Sequence, residues 1–119
     1  MRKVILTAIL SSALTFTVMR FAAAAEPITE KVVFENAKVT VTDRSYPVGV
    51  ARAPHIRSTN QVIVFLDDCV YDRIDADTKK TERKTRKAGE VLWHDKGEHA
   101  PALVNRGSKP FRSLMVALK

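Results

Sequence analysis

Gly49-Val50-Ala51-Arg52-Ala53-Pro54-His55-Ile56-Arg57-Ser58-Thr59-Asn60-Gln61-Val62-Ile63-Val64-Phe65-Leu66-Asp67-Asp68 is the stretch on which the reading of this chain turns. A glycine opens it, and the polar residues His55, Arg57 and Gln61 follow at short intervals. The continuous apolar run from Val62 to Leu66 reads as a buried strand, and Asp67-Asp68 reads as the turn that ends it. A second glycine-led stretch comes later: Gly89-Glu90-Val91-Leu92-Trp93-His94-Asp95-Lys96-Gly97-Glu98-His99.

Working outward, the rest of the chain repeats the signature of strands. Lys31-Val32-Val33-Phe34-Glu35 is a short apolar run, and Ala37 to Asp43 alternates apolar and polar residues with period two. Ser45 to Gly49, with Pro47 inside it, reads as an irregular strand end or turn. Cys69 to Asp75 and Lys80 to Lys87 flank a hairpin turn at Asp75-Ala76-Asp77-Thr78. Glu90 to His94, Ala102 to Val104 and Arg112 to Leu118 complete the series. Beyond Glu30 no segment carries an apolar stripe at helical spacing. Short strands with frequent turns predict an all-β domain, and a small antiparallel jelly-roll barrel is the economical way to cover two apolar sheet faces with so short a chain.

The N-terminus reads as an address. Met1-Arg2-Lys3 is basic, Val4 to Met19 is apolar, and Phe21-Ala22-Ala23-Ala24-Ala25-Glu26-Pro27 offers a small-residue cleavage site. The apolar stretch is short for a span that needs ~20 residues. The expectation is a signal peptide over residues 1–25 and a single domain over 26–119, periplasmic or secreted, with no membrane association after cleavage. Removal of the signal takes Arg2, Lys3 and Arg20 but no acids, lowering the formal net charge from +7 to +4. A single cysteine, Cys69, excludes an internal disulfide and is expected to be buried beside its apolar strand.

These two glycine-led stretches resemble the paired motifs of the cupin superfamily, and the ending Pro110 to Lys119 is similar to the last strand of many small single-domain cupins. The resemblance runs from about Val39 to Lys119 and implies a conical barrel of six to eight strands with the motif residues in its mouth. Cupin metal sites take two histidines and a glutamate from the first motif and one histidine from the second. Carried across, those positions are His55, Arg57, Gln61 and His99. His55, Gln61 and His99 are then the candidate ligands of a divalent metal ion. Arg57 is not one, because a guanidinium is always protonated and has no lone pair for a cation. His94 and Asp95 could complete a different set, but adjacent strand residues face opposite sides.

Arg57 can be read in two ways. In the mouth of a barrel its planar fork suits a carboxylate or phosphate; otherwise it pairs with Asp67, Asp68 or Glu98 and holds a loop. Gln61 either hydrogen-bonds across the barrel or begins a strand. Trp93 is a residue for the core or a platform for a ligand, and its large area favours the core. Lys79 to Lys87 is dominated by lysine and arginine, as an exposed edge strand would be. It has no interleaved aromatics, and nucleic acid is not expected as a partner. No nucleophile elbow, phosphate loop or dinucleotide motif is present.

The leading expectation is therefore a non-catalytic binding module that holds a small polar or anionic ligand near His55, Arg57, Gln61, Trp93 and His99. The alternative is a metal-dependent enzyme of dioxygenase or isomerase type using His55 and His99. A third reading is a structural protein with a filled barrel. The family resemblance also implies a homodimer.

Overall fold

A computed structural model describes residues 26–119, and the expected signal peptide lies outside the described residues. The regular elements are all strands: β1 (Thr29–Glu35), β2 (Val39–Tyr46), β3 (Ala51–Arg52), β4 (His55–Ile56), β5 (Gln61–Phe65), β6 (Cys69–Ile74), β7 (Thr81–Arg86), β8 (Val91–His94), β9 (His99–Ala100), β10 (Ala102–Asn105) and β11 (Phe111–Leu118). They form a five-stranded sheet in the order β1-β2-β11-β5-β8, a four-stranded sheet in the order β3-β10-β6-β7, and the small ribbon β4-β9. All the ladders are antiparallel. The all-β jelly roll expected from the strand pattern is the fold.

The core lies between the two large sheets. Tyr46, Phe65 and Phe111 come from the five-stranded sheet, and Cys69, Tyr71 and Leu103 from the four-stranded one. Period-two alternation explains the selection, since Tyr46 shares its face with Thr42, Phe65 with Gln61, and Tyr71 with Cys69. Tyr46 stacks on Phe111 with ring centroids 4.8 Å apart, and Phe65 lies parallel to Tyr71 at 6.1 Å. Offset aromatic pairs of this kind add about 0.5–1.5 kcal/mol each to the burial of their area. Burial pushes the Cys69 thiol up to about 11, so it is a small core hydrophobe with no thiolate at neutral pH.

One buried polar residue locks the end of the jelly roll. Asn105 donates from Nδ2 to the Tyr46 carbonyl at 2.8 Å and to the Lys109 carbonyl at 3.0 Å. Its Oδ1 accepts the Gly107 N–H at 2.8 Å, so the whole amide is used. The Asp75 carboxylate does the same for the expected hairpin turn by accepting the N–H groups of Asp77 and Thr78. Asp67 and Asp68 accept backbone N–H groups from Arg112 and Ala88, which is turn chemistry and not acid–base chemistry.

Three features depart from the sequence pattern. β2 continues through Tyr46, where an irregular segment was expected from Ser45, and Pro47 ends it. β3, β4 and β9 have two residues each, too few for a period to register. Trp93 is 52% exposed on β8 and donates from Nε1 to Asp95, so it is not a core residue. The basic segment does form an edge strand, β7.

Candidate functional site

A cavity of about 70 Å³ opens between the two sheets. Its floor is the aromatic core, with Phe65, Tyr71 and Phe111 exposing their rings to it. Its walls are cationic. Four strands contribute Arg44 from β2, Arg52 from β3, Arg73 from β6 and Arg86 from β7, and Arg57 joins them just past β4. His94 on β8 completes the polar rim.

Arg57 is the most constrained of these. Its N–H donates to the Glu98 carbonyl at 2.9 Å, and its own carbonyl accepts the Gly97 N–H at 2.8 Å. Gly97 sits at φ +88°, a conformation glycine adopts freely and other residues rarely do, so the turn that clamps Arg57 depends on that glycine. The Arg57 side chain is only 6% exposed. Nη1 donates to Gln61 Oε1 at 3.2 Å, and Nε stands 3.6 Å from Glu98 Oε2 with no hydrogen-bond partner. Burial, then the charge of Arg52, lowers its pKa. An arginine nevertheless stays charged, so the charge is held in the cavity uncompensated by a direct hydrogen bond from Nε.

Gln61 is buried and stands opposite His94 in the β5–β8 ladder. His94 Nδ1 lies 2.8 Å from Glu98 Oε2, so one carboxylate serves both His94 and Arg57. Burial and then the Arg57 charge lower the His94 pKa, with Glu98 opposing them. The ring is therefore favoured in its neutral form.

The other arginines differ in how fully they are satisfied. Arg86 donates to the Tyr71 hydroxyl and to Glu90 and lies over the Phe65 ring, which makes it part of the framework. Arg44 Nε lies 3.0 Å from Glu30 Oε1, but the angle is not that of a hydrogen bond. Arg52 donates from Nη2 to the Pro101 carbonyl and keeps a buried Nε without a partner.

The candidate residues read from the sequence fall into three places. Arg57 lines the cavity with Gln61 supporting it from behind. His55 and His99 are exposed and line a separate shallow cleft with Asp75 and Asp77. Trp93 lies in neither. In the β4–β9 ribbon His55 pairs with Ala100 and Ile56 with His99, and of the two β9 residues Ala100 is the buried one, 2% exposed. One residue along a strand reverses the face, so His99 points away where Ala100 points in. Burial, then the charges of Arg52, Arg57 and Arg44, lowers the His55 pKa, with a backbone contact to Ala53 opposing them.

A divalent metal does not fit this arrangement. Among the described residues, no three His, Cys, Asp or Glu side chains come together to hold one. His55 and His99 line the cleft while Gln61 is buried against Arg57, and the arginines would repel a cation from the cavity.

Sequence reasoning found Arg57 and Gln61 but missed Arg44, Arg52, Arg73 and His94 as a group. The available signal was the inward parity of each strand: Arg44 shares it with Tyr46, Arg73 with Tyr71, and His94 with Leu92.

No protein-family model matches the chain, and no curated protein matches it. Solved structures do. A cupin domain from Bordetella pertussis Tohama I aligns with a TM-score of 0.69 at 17% identity, over 78% of this chain and 94% of that one. The polyketide cyclase RemF from Streptomyces resistomycificus aligns at 0.62 and 19% identity, over 79% of this chain and 66% of that one. An RmlC-like cupin with a double-stranded β-helix fold from Methanocaldococcus jannaschii aligns at 0.60 and 13% identity, over 80% and 83%. At such identities the likeness is one of fold: a small cupin-like double-stranded β-helix.

Proposed function

We propose that this cupin-like domain is an exported binding module that takes a small anionic ligand into the arginine-walled cavity, without a metal and without catalysis. The observation that supports it is the buried Arg57, whose Nε–H has no hydrogen-bond partner among the described residues while four more arginines line the same space. A buried donor left unpaired costs about 1–3 kcal/mol, and a charged one more. An anion on Arg57 removes that cost and gains charge-assisted hydrogen bonds. Export rests on the N-terminal pattern read in the sequence.

The test is a thermal-shift and calorimetric titration of the purified protein with a panel of small anions. At least one should raise the melting temperature in a saturable way, and Arg57→Met should abolish the effect while the protein remains folded. A panel without any saturable binder would sink the reading.

A homodimer is the second element of the proposal. Paired positions across all five strands of the larger sheet make one apolar row on its outer face: Phe34, Val41, Val116, Val62 and Trp93. Phe34 and Trp93, at its two ends, are 54% and 52% exposed. Strands about 4.8 Å apart and about 20 Å long give a face of roughly 500 Å² per copy, or about 1,000 Å² in all, which reaches the area a specific interface needs. The occupant we propose is the same face of a second copy, an isologous arrangement.

A further inference from the structure

Besides Arg86, which the framework holds, four arginines line the cavity: Arg44, Arg52, Arg57 and Arg73. Among the described residues, two carboxylates lie at ion-pair distance from them: Glu30 at 3.0 Å from Arg44 and Glu98 at 3.6 Å from Arg57. The acceptor for Arg52 is a neutral carbonyl, that of Pro101. Arg73 stands opposite Glu82 in the β6–β7 ladder, but the Glu82 carboxylate pairs with Lys84 Nζ at 2.7 Å, and Arg73 acts on it only from farther away. Among the described residues, neither Arg52 nor Arg73 has a carboxylate at ion-pair distance, which leaves two positive charges without a direct partner.

Resting on the anion-binding reading, we infer that the cavity is built for a compact dianion, with two negative charges carried on oxygen. A monoanion would leave one half-buried guanidinium uncompensated, and that residual charge is costly in a space walled largely by protein. A dianion balances both. The forks enter from different strands, so they can grip separate oxygens of one group bidentately. The small volume limits the ligand to a short dicarboxylate or a tetrahedral oxyanion, and the aromatic floor of Phe65, Tyr71 and Phe111 keeps water from screening the contacts.

The experiment is a calorimetric titration of the whole protein at constant ionic strength with two matched pairs: malonate against monomethyl malonate, and sulfate against methyl sulfate. At least one dianion is expected to bind about tenfold or more tightly than its monoanionic partner, a difference of about 1.4 kcal/mol. Arg52→Gln and Arg73→Gln should each weaken the dianion more than the monoanion, bringing the ratio of the two affinities toward one. Arg52→Lys, which keeps the charge and loses the fork, should retain most of the preference, and circular dichroism confirms that each variant is folded. Malonate alone showing the preference identifies a dicarboxylate site, and sulfate alone an oxyanion site; either upholds the inference. Equal affinity within both pairs overturns the dianion and leaves the anion-binding reading standing. If none of the four binds, both fall.

Discussion

The guanidinium of Arg57 donates to the side-chain oxygen of Gln61 at 3.2 Å, and both residues are buried. A neutral amide thus occupies the position from which a carboxylate would cancel the arginine. That choice keeps the positive charge available to a ligand, since Gln61 orients the fork without neutralising it.

Gln61→Glu reverses this at almost constant shape. The new carboxylate would pair with Arg57 in the interior, so anion affinity should fall about tenfold or more, equal to about 1.4 kcal/mol. Folding should survive, because a buried charge gains a partner and none is orphaned. Calorimetric titration with sulfate, alongside a thermal melt, checks both parts. Unchanged affinity in a folded Gln61→Glu protein would mean that the ligand does not meet Arg57.

His94 should report the same event through its protons. Burial first, and the Arg57 charge second, hold its pKa below the ordinary imidazole value of about 6.5. A depressed value means that the fold favours neutral His94. The stability this contributes is fully present above about pH 6.5 and is lost as pH falls through the folded value. An anion on Arg57 cancels part of the field acting on His94, so its pKa should rise on binding and binding should take up protons in that window. By linkage, affinity for sulfate should then increase as pH falls below about 6.5. An NMR titration of the His94 ring, with and without saturating sulfate, gives the direction. A pKa that stays put or falls on binding would place the anion elsewhere.

The cavity was legible in the sequence only where the chemistry is unusual. Arg57 stood out because it replaces a ligand type, and Gln61 because it replaces a carboxylate. The strands themselves announced the jelly roll through period-two alternation in β2 and the apolar run of β5. In the second motif His99 is exposed and its neighbour Ala100 is buried. β9 has only two residues, so no alternation fixes which of them faces in. His94, four positions earlier than Glu98, reaches the cavity because the β5 ladder sets it opposite Gln61. Cross-strand register of that kind depends on partners distant in sequence. Trp93 reads as core by its size, yet it shares the outward parity of Val91 on an edge strand.

Asn105 offers a test of the framework apart from the ligand. All of its side-chain hydrogen-bonding groups are engaged, on the carbonyls of Tyr46 and Lys109 and the N–H of Gly107, and it is 1% exposed. Asn105→Ala removes three hydrogen bonds and strands buried backbone groups, which should cost about 2–4 kcal/mol. Urea unfolding would show a lower midpoint with an unchanged slope. Asn105→Asp should also destabilise, because a carboxylate cannot donate to the two carbonyls. A loss below about 0.5 kcal/mol would show that water replaces the amide and that the turn holds itself.

The outer apolar row makes an oligomeric prediction that the cavity does not share. Val62 and Val116 lie at the centre of the row, and Trp93 lies at its edge next to Val62 in the ladder. Removing one large aromatic from an isologous contact removes it twice, once from each copy. Trp93→Lys should therefore shift the protein from dimer to monomer in sedimentation velocity at micromolar concentration. Its monomer fold should be intact, since Trp93 is half exposed and absent from the core cluster. Sulfate affinity should be unchanged, because the cavity opens on the other side of the same sheet. Phe34→Lys, at the opposite end of the row, should weaken the dimer in the same sense. If the wild-type protein sediments as a monomer across that concentration range, the row is a solvated surface and the pairing is wrong. A dimer that survives both substitutions would instead locate the interface on another face.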